Sequence, residues 1–242
     1  MLNIVIPMAG AGSRFAQKGY DRPKPFIVFN GKMMIEHVLE SLAIEGARFT
    51  LIVRDEHLAD DASSFARIHK SFAPQIVTVS ALTQGAVCTA LAAHRLFDNE
   101  DPVLFADSDN IFSPALIGAF VKDMQDRKLD GSLLTTPSTN PGFSYVQTDA
   151  AGHATEVREK DPFSPHAITG AYLFAKGRAF MDCALDMLLY GHVQKGEYYM
   201  SGAYQEAIRR GLTIGFYEIA NDTYDCVGTP AQLEAYLAEH SA

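Results

Sequence analysis

Arg14 and Lys24 are the two cations whose surroundings best suit chemistry on a polyphosphate. They follow a short apolar run, Asn3-Ile-Val-Ile-Pro7, that leads directly into Met8-Ala-Gly-Ala-Gly-Ser-Arg-Phe15. Gly10 and Gly12 lack a Cβ, so the backbone there can take unusual dihedrals and approach a ligand closely. Successive N–H groups of such a turn, from Ala9 through Gly10, Ala11, Gly12 and Ser13, form an anion-binding nest. Arg14 presents a planar fork that matches phosphate oxygens, and Lys24 a compact point charge. Pro23 and Pro25 flank Lys24 and stiffen its segment. A dinucleotide loop would place a third glycine where Phe15 stands, with an acid about 20 residues on. A Walker loop, Gly-x-x-x-x-Gly-Lys-Ser/Thr, occurs nowhere in the chain.

Carboxylates and polar turns supply the remaining candidates. Asp107 and Asp109 follow the apolar run Val103-Leu-Phe-Ala106. In extended chain they point the same way, and a hard divalent cation takes oxygen ligands. The competing reading is a solvated turn, with Ser113 capping the next helix. Gln84 and Gly85 join a strand to a helix. The Gln84 amide can both donate and accept, as reading a base edge requires, and Gly85 permits close approach; Thr83 as an ordinary helix cap is the alternative. Glu159 and Lys160 lie in a charged stretch, 156–161, that without context reads as a solvated strand edge. The eight histidines show no metal-ligand spacing. Ser13 has no triad logic around it.

Apolar patterning predicts the elements that must hold these groups. Strands are expected at 4–7, 49–53, 76–79 and 103–106, with helices at 33–44, 57–72 and 86–97 between them. That alternation describes a mainly parallel sheet covered by helices, with ligands at the carboxyl ends of its strands. Short extended stretches at 132–136, 145–148, 155–158 and 168–174, separated by Pro, Gly and Asn, predict antiparallel additions. Helices at 178–190, 199–210 and 230–239 and a strand at 213–219 complete the chain. With no repeat or linker in 242 residues, one α/β domain is expected. Its first half, 1–112, would bind nucleotide and its second, 113–242, an acceptor.

The composition is that of an ordinary globular protein, 48% hydrophobic and 20% charged. A net charge of −9 argues against nucleic acid as partner, though not against a nucleotide. Cys88, Cys183 and Cys226 are widely spaced and form no Cys-x-x-Cys pair, which fits reduced thiols in the cytoplasm. No segment has the length of a membrane span, and the N-terminal apolar run lacks the features of a signal peptide.

Gly-x-Gly-x-Arg-Phe followed by Pro-Lys-Pro resembles the nucleotidyltransferases that activate phosphorylated sugars and related metabolites, the pyrophosphorylases. The resemblance implies a glycosyltransferase A-like α/β fold, a loop wrapping a nucleoside triphosphate, and charge-offsetting roles for Arg14 and Lys24. Asp109-Asn-Ile-Phe112 is similar to the metal-binding string of that family, which makes Asp109 the implied magnesium ligand and Asp107 an additional group. Gln84-Gly85 is similar to its base-recognition turn. Glu159-Lys160 and Thr169-Gly-Ala-Tyr172 are similar to its acceptor elements. They imply a hydroxyl-binding Glu159, a phosphate-binding Lys160 and a pocket-lining Gly170. Ser144 stands where the family often has glycine. Glu197-Tyr-Tyr199 resembles an element of a capsule-associated branch, which adds Glu197 and Tyr198 on the acceptor side. In Tyr224-Asp-Cys-Val-Gly-Thr229 the place of the family's second metal-binding aspartate falls to Cys226, with Asp225 one residue early. Adjacent extended residues point opposite ways, so Asp225 reaches the metal only through a bulge.

The expected activity is therefore magnesium-dependent transfer of a nucleoside monophosphate from a triphosphate to a phosphorylated acceptor, with release of pyrophosphate. A homo-oligomer is compatible with this reading. Two rivals predict different outcomes. A glycosyltransferase using Asp107-Ser-Asp109 has no need of Arg14 and Lys24, and a silent regulatory module binds nucleotide without exchange.

Overall fold

A computed structural model describes residues 1–240. Nine strands form one mixed sheet: β1 (Asn3–Pro7), β2 (Arg48–Arg54), β3 (Gln75–Val79), β4 (Val103–Ala106), β5 (Gly131–Pro137), β6 (Ser144–Thr148), β7 (Ala154–Arg158), β8 (His166–Phe174) and β9 (Ile214–Glu218). The order runs β7-β6-β8-β4-β1-β2-β3, with β5 beside β8 and β9 beside β5. β4, β1, β2 and β3 are mutually parallel, as alternating strands and helices predict. The strands of the second half join the same sheet instead of forming a separate layer. β8 is antiparallel to β4, β5 and β6, whereas β9 lies parallel to β5.

Side-chain alternation divides the core. Ile4 and Ile6 of β1 and Leu104 and Ala106 of β4 enter one apolar cluster. Val5, Val103 and Phe105, one residue out of phase, enter the other. Both faces of the central strands are thus buried, which accounts for their unbroken apolar runs.

Two expected helices are each divided. The pattern over 57–72 resolves into Asp55–Asp60 and Ala62–Phe72. Asp61 between them has non-helical dihedrals, and its carboxylate caps the second helix through Ser64 N. Asp is a favoured cap residue, and that local competition outweighs the apolar periodicity. The pattern over 86–97 breaks into Ala86–Leu91 and His94–Phe97.

β8 changes partners partway along. His166–Ile168 pair with β6, and Ala171–Phe174 pair with β4. The pairing with β5 shifts register between Ile168 and Tyr172. Gly170 sits within this irregularity at φ 78°, a left-handed conformation open to glycine.

Candidate active site

The Gly loop starts where β1 ends. Gly12 has φ 59°, and a Cβ there would lie 3.2 Å from Lys24 Cβ, so the missing side chain lets the loop pack on the lysine segment. Gly10 has no positive φ and open space around it. Ala9 is buried, while Ala11, Ser13 and Arg14 are exposed. Phe15 is the anchor. It is buried in a third apolar cluster with Ile27, Phe29, Met34, Val227 and Leu233. Through Phe15, Ile27 and Val227 this cluster ties together the Gly loop, the residue that ends the turn Lys24–Phe26 and the turn after Cys226.

Lys24 Nζ donates to Asp109 Oδ2 at 2.7 Å. Burial opposes the lysine charge. The Asp109 carboxylate and its hydrogen bond, with Asp107 nearby, outweigh burial and hold the Lys24 pKa above its ordinary value. Asp107 N donates to Gly170 O at 2.9 Å. A Cβ on Gly170 would collide with the Asp107 carboxylate and the Asn110 amide. Burial, followed by the charge of Asp109, pushes the Asp107 carboxyl up to about 7. Gly228 gives Asp109 the same close fit, since a Cβ there would collide with that carboxylate.

Asp225 would reach the metal only through a bulge, and its ribbon shows where it lies. Asn110–Ile111 and Asp225–Cys226 form a two-stranded antiparallel ribbon in which Cys226 is opposite Asn110 and Asp225 opposite Ile111. Cys226 lines the cleft that holds Asp107 and Asp109. Asp225 lies instead with Glu239 and His240, its Oδ2 4.0 Å from His240 Nε2. The ribbon is not bulged, so neighbouring side chains take opposite sides. Burial and the Asp109 charge push the Cys226 thiol up to about 11. Asp109 and Asp107 offer hard oxygen donors with glycines packed against them, a donor set that fits a cation such as magnesium taking one or two protein carboxylates. The Cys226 thiol does not belong to that set.

On the other side, Gly85 has φ 126°, and a Cβ there would lie 2.6 Å from the Tyr198 carbonyl. Tyr198 N donates to Gln84 O at 2.8 Å, and Val87 N donates to Tyr198 O at 3.1 Å. The Gln84 side chain is exposed. Thr83 does not cap the helix; its hydroxyl bonds Gly85 O and Thr89 Oγ1. Tyr198 itself packs against the second apolar cluster, and Tyr199 lines the cleft in its place. Of the two rings in the acceptor-side element read from the sequence, Tyr199 and not Tyr198 is the one that lines the cleft, and the Tyr198 backbone pairs with Gln84.

Glu159 is buried. Its Oε2 accepts hydrogen bonds from Ser144 Oγ and, at 2.7 Å, from Ser201 Oγ. Lys160 has the uncommon φ of 51°. Its Nζ lies 3.8 Å from Glu159 Oε1 and donates to the Tyr199 hydroxyl at 2.7 Å.

A cleft of about 550 Å³ brings these groups together. Arg14, Asp107 and Asp109 line it from the first half of the chain, and Glu159, Lys160, Gly170 and Glu197 from the second. Arg14 makes no hydrogen bond or ion pair among the described residues. Lys24 reaches the cleft through Asp109, and Gln84 and Gly85 adjoin it through Ala86. Sequence reasoning held Tyr172 and Tyr199 within its acceptor motifs without giving either a role, and passed over Asn140 and Ser201.

The model of the nucleotidyl transferase family matches residues 4–211. The chain belongs to that family of nucleotidyltransferase enzymes, and its fold is that of nucleotidyltransferase structures. It is 27% identical over 225 residues to UTP–glucose-1-phosphate uridylyltransferase of Haloferax volcanii, covering 88% of this chain and 86% of that protein. It is 29% identical over 148 residues to 2-C-methyl-D-erythritol 4-phosphate cytidylyltransferase of Thermosipho africanus, a match spanning 60% of this chain and 62% of the relative. The nucleoside-diphosphate-sugar pyrophosphorylase of Vibrio cholerae superposes with a TM-score of 0.85 at 24% identity, covering 97% of this chain and 99% of that one. The inositol-1-phosphate CTP transferase of T. maritima superposes with a TM-score of 0.75 at 18% identity, covering 98% and 93%. Among the described residues no helix is long and apolar enough to cross a membrane.

Proposed function

We propose that this protein transfers a nucleoside monophosphate from a nucleoside triphosphate to a phosphorylated small-molecule acceptor, releasing pyrophosphate, with Mg²⁺ bound at Asp109. One observation carries the reading. Arg14 and the Lys24–Asp109 pair stand across a single cleft from Glu159 and Lys160, so two phosphate-bearing ligands can meet there. An acceptor phosphate oxygen attacks the α-phosphorus in line, and pyrophosphate departs. That oxygen is already ionised near neutral pH and needs no general base, so catalysis rests on positioning and charge stabilisation.

Arg14 and the amides of residues 9–13 hold the leaving pyrophosphate. Lys24 neutralises charge developing around the α-phosphate. Gln84 contacts the base. Lys160 places the attacking phosphate, and Glu159 accepts a hydrogen bond from the acceptor. Magnesium, when bound, offsets phosphate charge, with Asp109 its main protein ligand and Asp107 behind it. Residues 1–112 and 113–242 act as the nucleotide and acceptor halves of one domain in the cytoplasm. The acceptor is a sugar phosphate or a related phosphorylated metabolite destined for capsule or another cell-surface polysaccharide. The relatives' names, one of which pairs UTP with glucose 1-phosphate and both of which name a phosphorylated acceptor, support the phosphorylated acceptor.

Four triphosphates assayed against a panel of phosphorylated acceptors, scored by pyrophosphate release, test the reading. Release from one pair is the expected result. Release of a nucleoside diphosphate from a nucleotide-sugar would identify a glycosyltransferase, and tight nucleotide binding without turnover a regulatory module.

A further inference from the structure

One short segment touches both sides of the cleft. At its start, the Tyr198 backbone is bonded twice to the Gln84–Val87 turn, with N···O distances of 2.8 and 3.1 Å. Gly85 has no side chain where the Tyr198 backbone passes. The next residue, Tyr199, accepts a hydrogen bond from Lys160 Nζ at 2.7 Å, and that nitrogen lies 4.4 Å from its ring centroid. Two residues further, the fully buried Ser201 donates its hydroxyl to Glu159 Oε2 at 2.7 Å. Ser144, from β6, donates to the same oxygen. Both hydroxyls therefore hold Oε2, and Oε1 makes no hydrogen bond among the described residues; Lys160 Nζ lies 3.8 Å from it.

We propose that Tyr199 and Ser201 are positioning residues for the acceptor, and that their segment fixes the Glu159–Lys160 pair from the nucleotide-side turn. The inference rests on the reading of Glu159 and Lys160 as acceptor ligands. A lysine on a surface turn has many rotamers, and ordering it on binding costs affinity. The Tyr199 hydroxyl and ring hold Lys160 beforehand, while Ser201 presents Glu159 with Oε1 as its free acceptor atom. Because Tyr198 is bonded to the Gln84 turn, movement of that turn is carried through one residue to Tyr199.

Tyr199→Phe and Ser201→Ala each remove one oxygen and little volume. The test measures kcat and both KM values with whichever acceptor gives the most pyrophosphate release, together with thermal midpoints. Each variant is expected to raise the acceptor KM roughly tenfold, the scale of one hydrogen bond to a charged group. The triphosphate KM stays within about twofold, because neither oxygen contacts the loop at residues 9–14. The double variant falls short of the product of the two single effects, because they support one unit. An unchanged acceptor KM, or an equal rise in both KM values with a large loss of thermal stability, overturns the proposal.

A second measurement needs no acceptor. Inorganic phosphate is titrated into the whole protein while the ¹⁵Nζ resonance of Lys160 is followed. The wild type is expected to respond about tenfold more tightly than Tyr199→Phe. Equal responses, or none in the wild type, overturn the positioning role. A wild type that releases no pyrophosphate but shows the expected phosphate difference would refute the proposed reaction and leave the positioning intact.

Discussion

Lys24 and Asp109 lie 85 residues apart in sequence, yet Lys24 Nζ donates to Asp109 Oδ2 at 2.7 Å. The pair joins the proline-framed turn after the Gly loop to the turn beyond β4. It also sets the charge balance of the cleft, because Lys24 is the cation that counters both Asp109 and Asp107.

Lys24→Ala is expected to keep the fold and to lower turnover by roughly 10²–10³, the usual scale for losing one stabiliser of transition-state charge. Single-turnover kinetics with saturating triphosphate checks this, with circular dichroism as the fold control. Comparable turnover would remove Lys24 from the mechanism.

Asp109→Asn is expected to abolish magnesium-dependent activity, and Asp225→Asn to change it little. Only Asp109 shares the cleft with Asp107, while Asp225 lies with Glu239 and His240. Manganese binding followed by electron paramagnetic resonance supplies the parallel readout. Equal losses in both variants would return Asp225 to the ligand set.

Lys160→Ala is expected to weaken the acceptor and to spare the triphosphate, because Lys160 bonds Tyr199 and lies beside Glu159. Calorimetric titration of each substrate alone decides it. A selective loss of triphosphate affinity would place Lys160 on the wrong side of the cleft.

Gly170→Ala combines a left-handed backbone with a Cβ driven into Asp107 and Asn110. A loss of about 2–4 kcal/mol is expected from the backbone penalty plus overpacking. Urea unfolding measures it, and a change under about 0.5 kcal/mol, the scale of a neutral surface substitution, would contradict the packing.

Cys183 gives a pH prediction. Burial pushes its thiol up to about 12 from an ordinary 9.0, so the folded state holds the proton more tightly than the unfolded chain. Its contribution to stability is complete below pH 9.0 and is lost as pH rises toward about 12. Cys183→Ala should therefore show a shallower alkaline loss of stability than the wild type. Identical pH profiles above pH 9 would contradict the shift.

The sequence alone determined what depends on neighbours along the chain. Gly12, Arg14 and Phe15 define their loop within a few residues. Alternation along 4–6 and 103–106 decides which side chains enter which core, because strand geometry repeats every two residues. Opposite orientation of adjacent extended residues anticipated the separation of Asp225 from Cys226. Tertiary structure decided what depends on elements meeting. Tyr199, not Tyr198, entered the cleft because the Tyr198 backbone is held by the Gln84 turn, more than 100 residues earlier. Ser201 bonds Glu159 across 42 residues, and a serine at a helix start carries no local mark of such a partner. Periodicity reports which face of an element is buried; which side chains then meet across a cleft is set only when the sheet brings β4, β6 and β8 together.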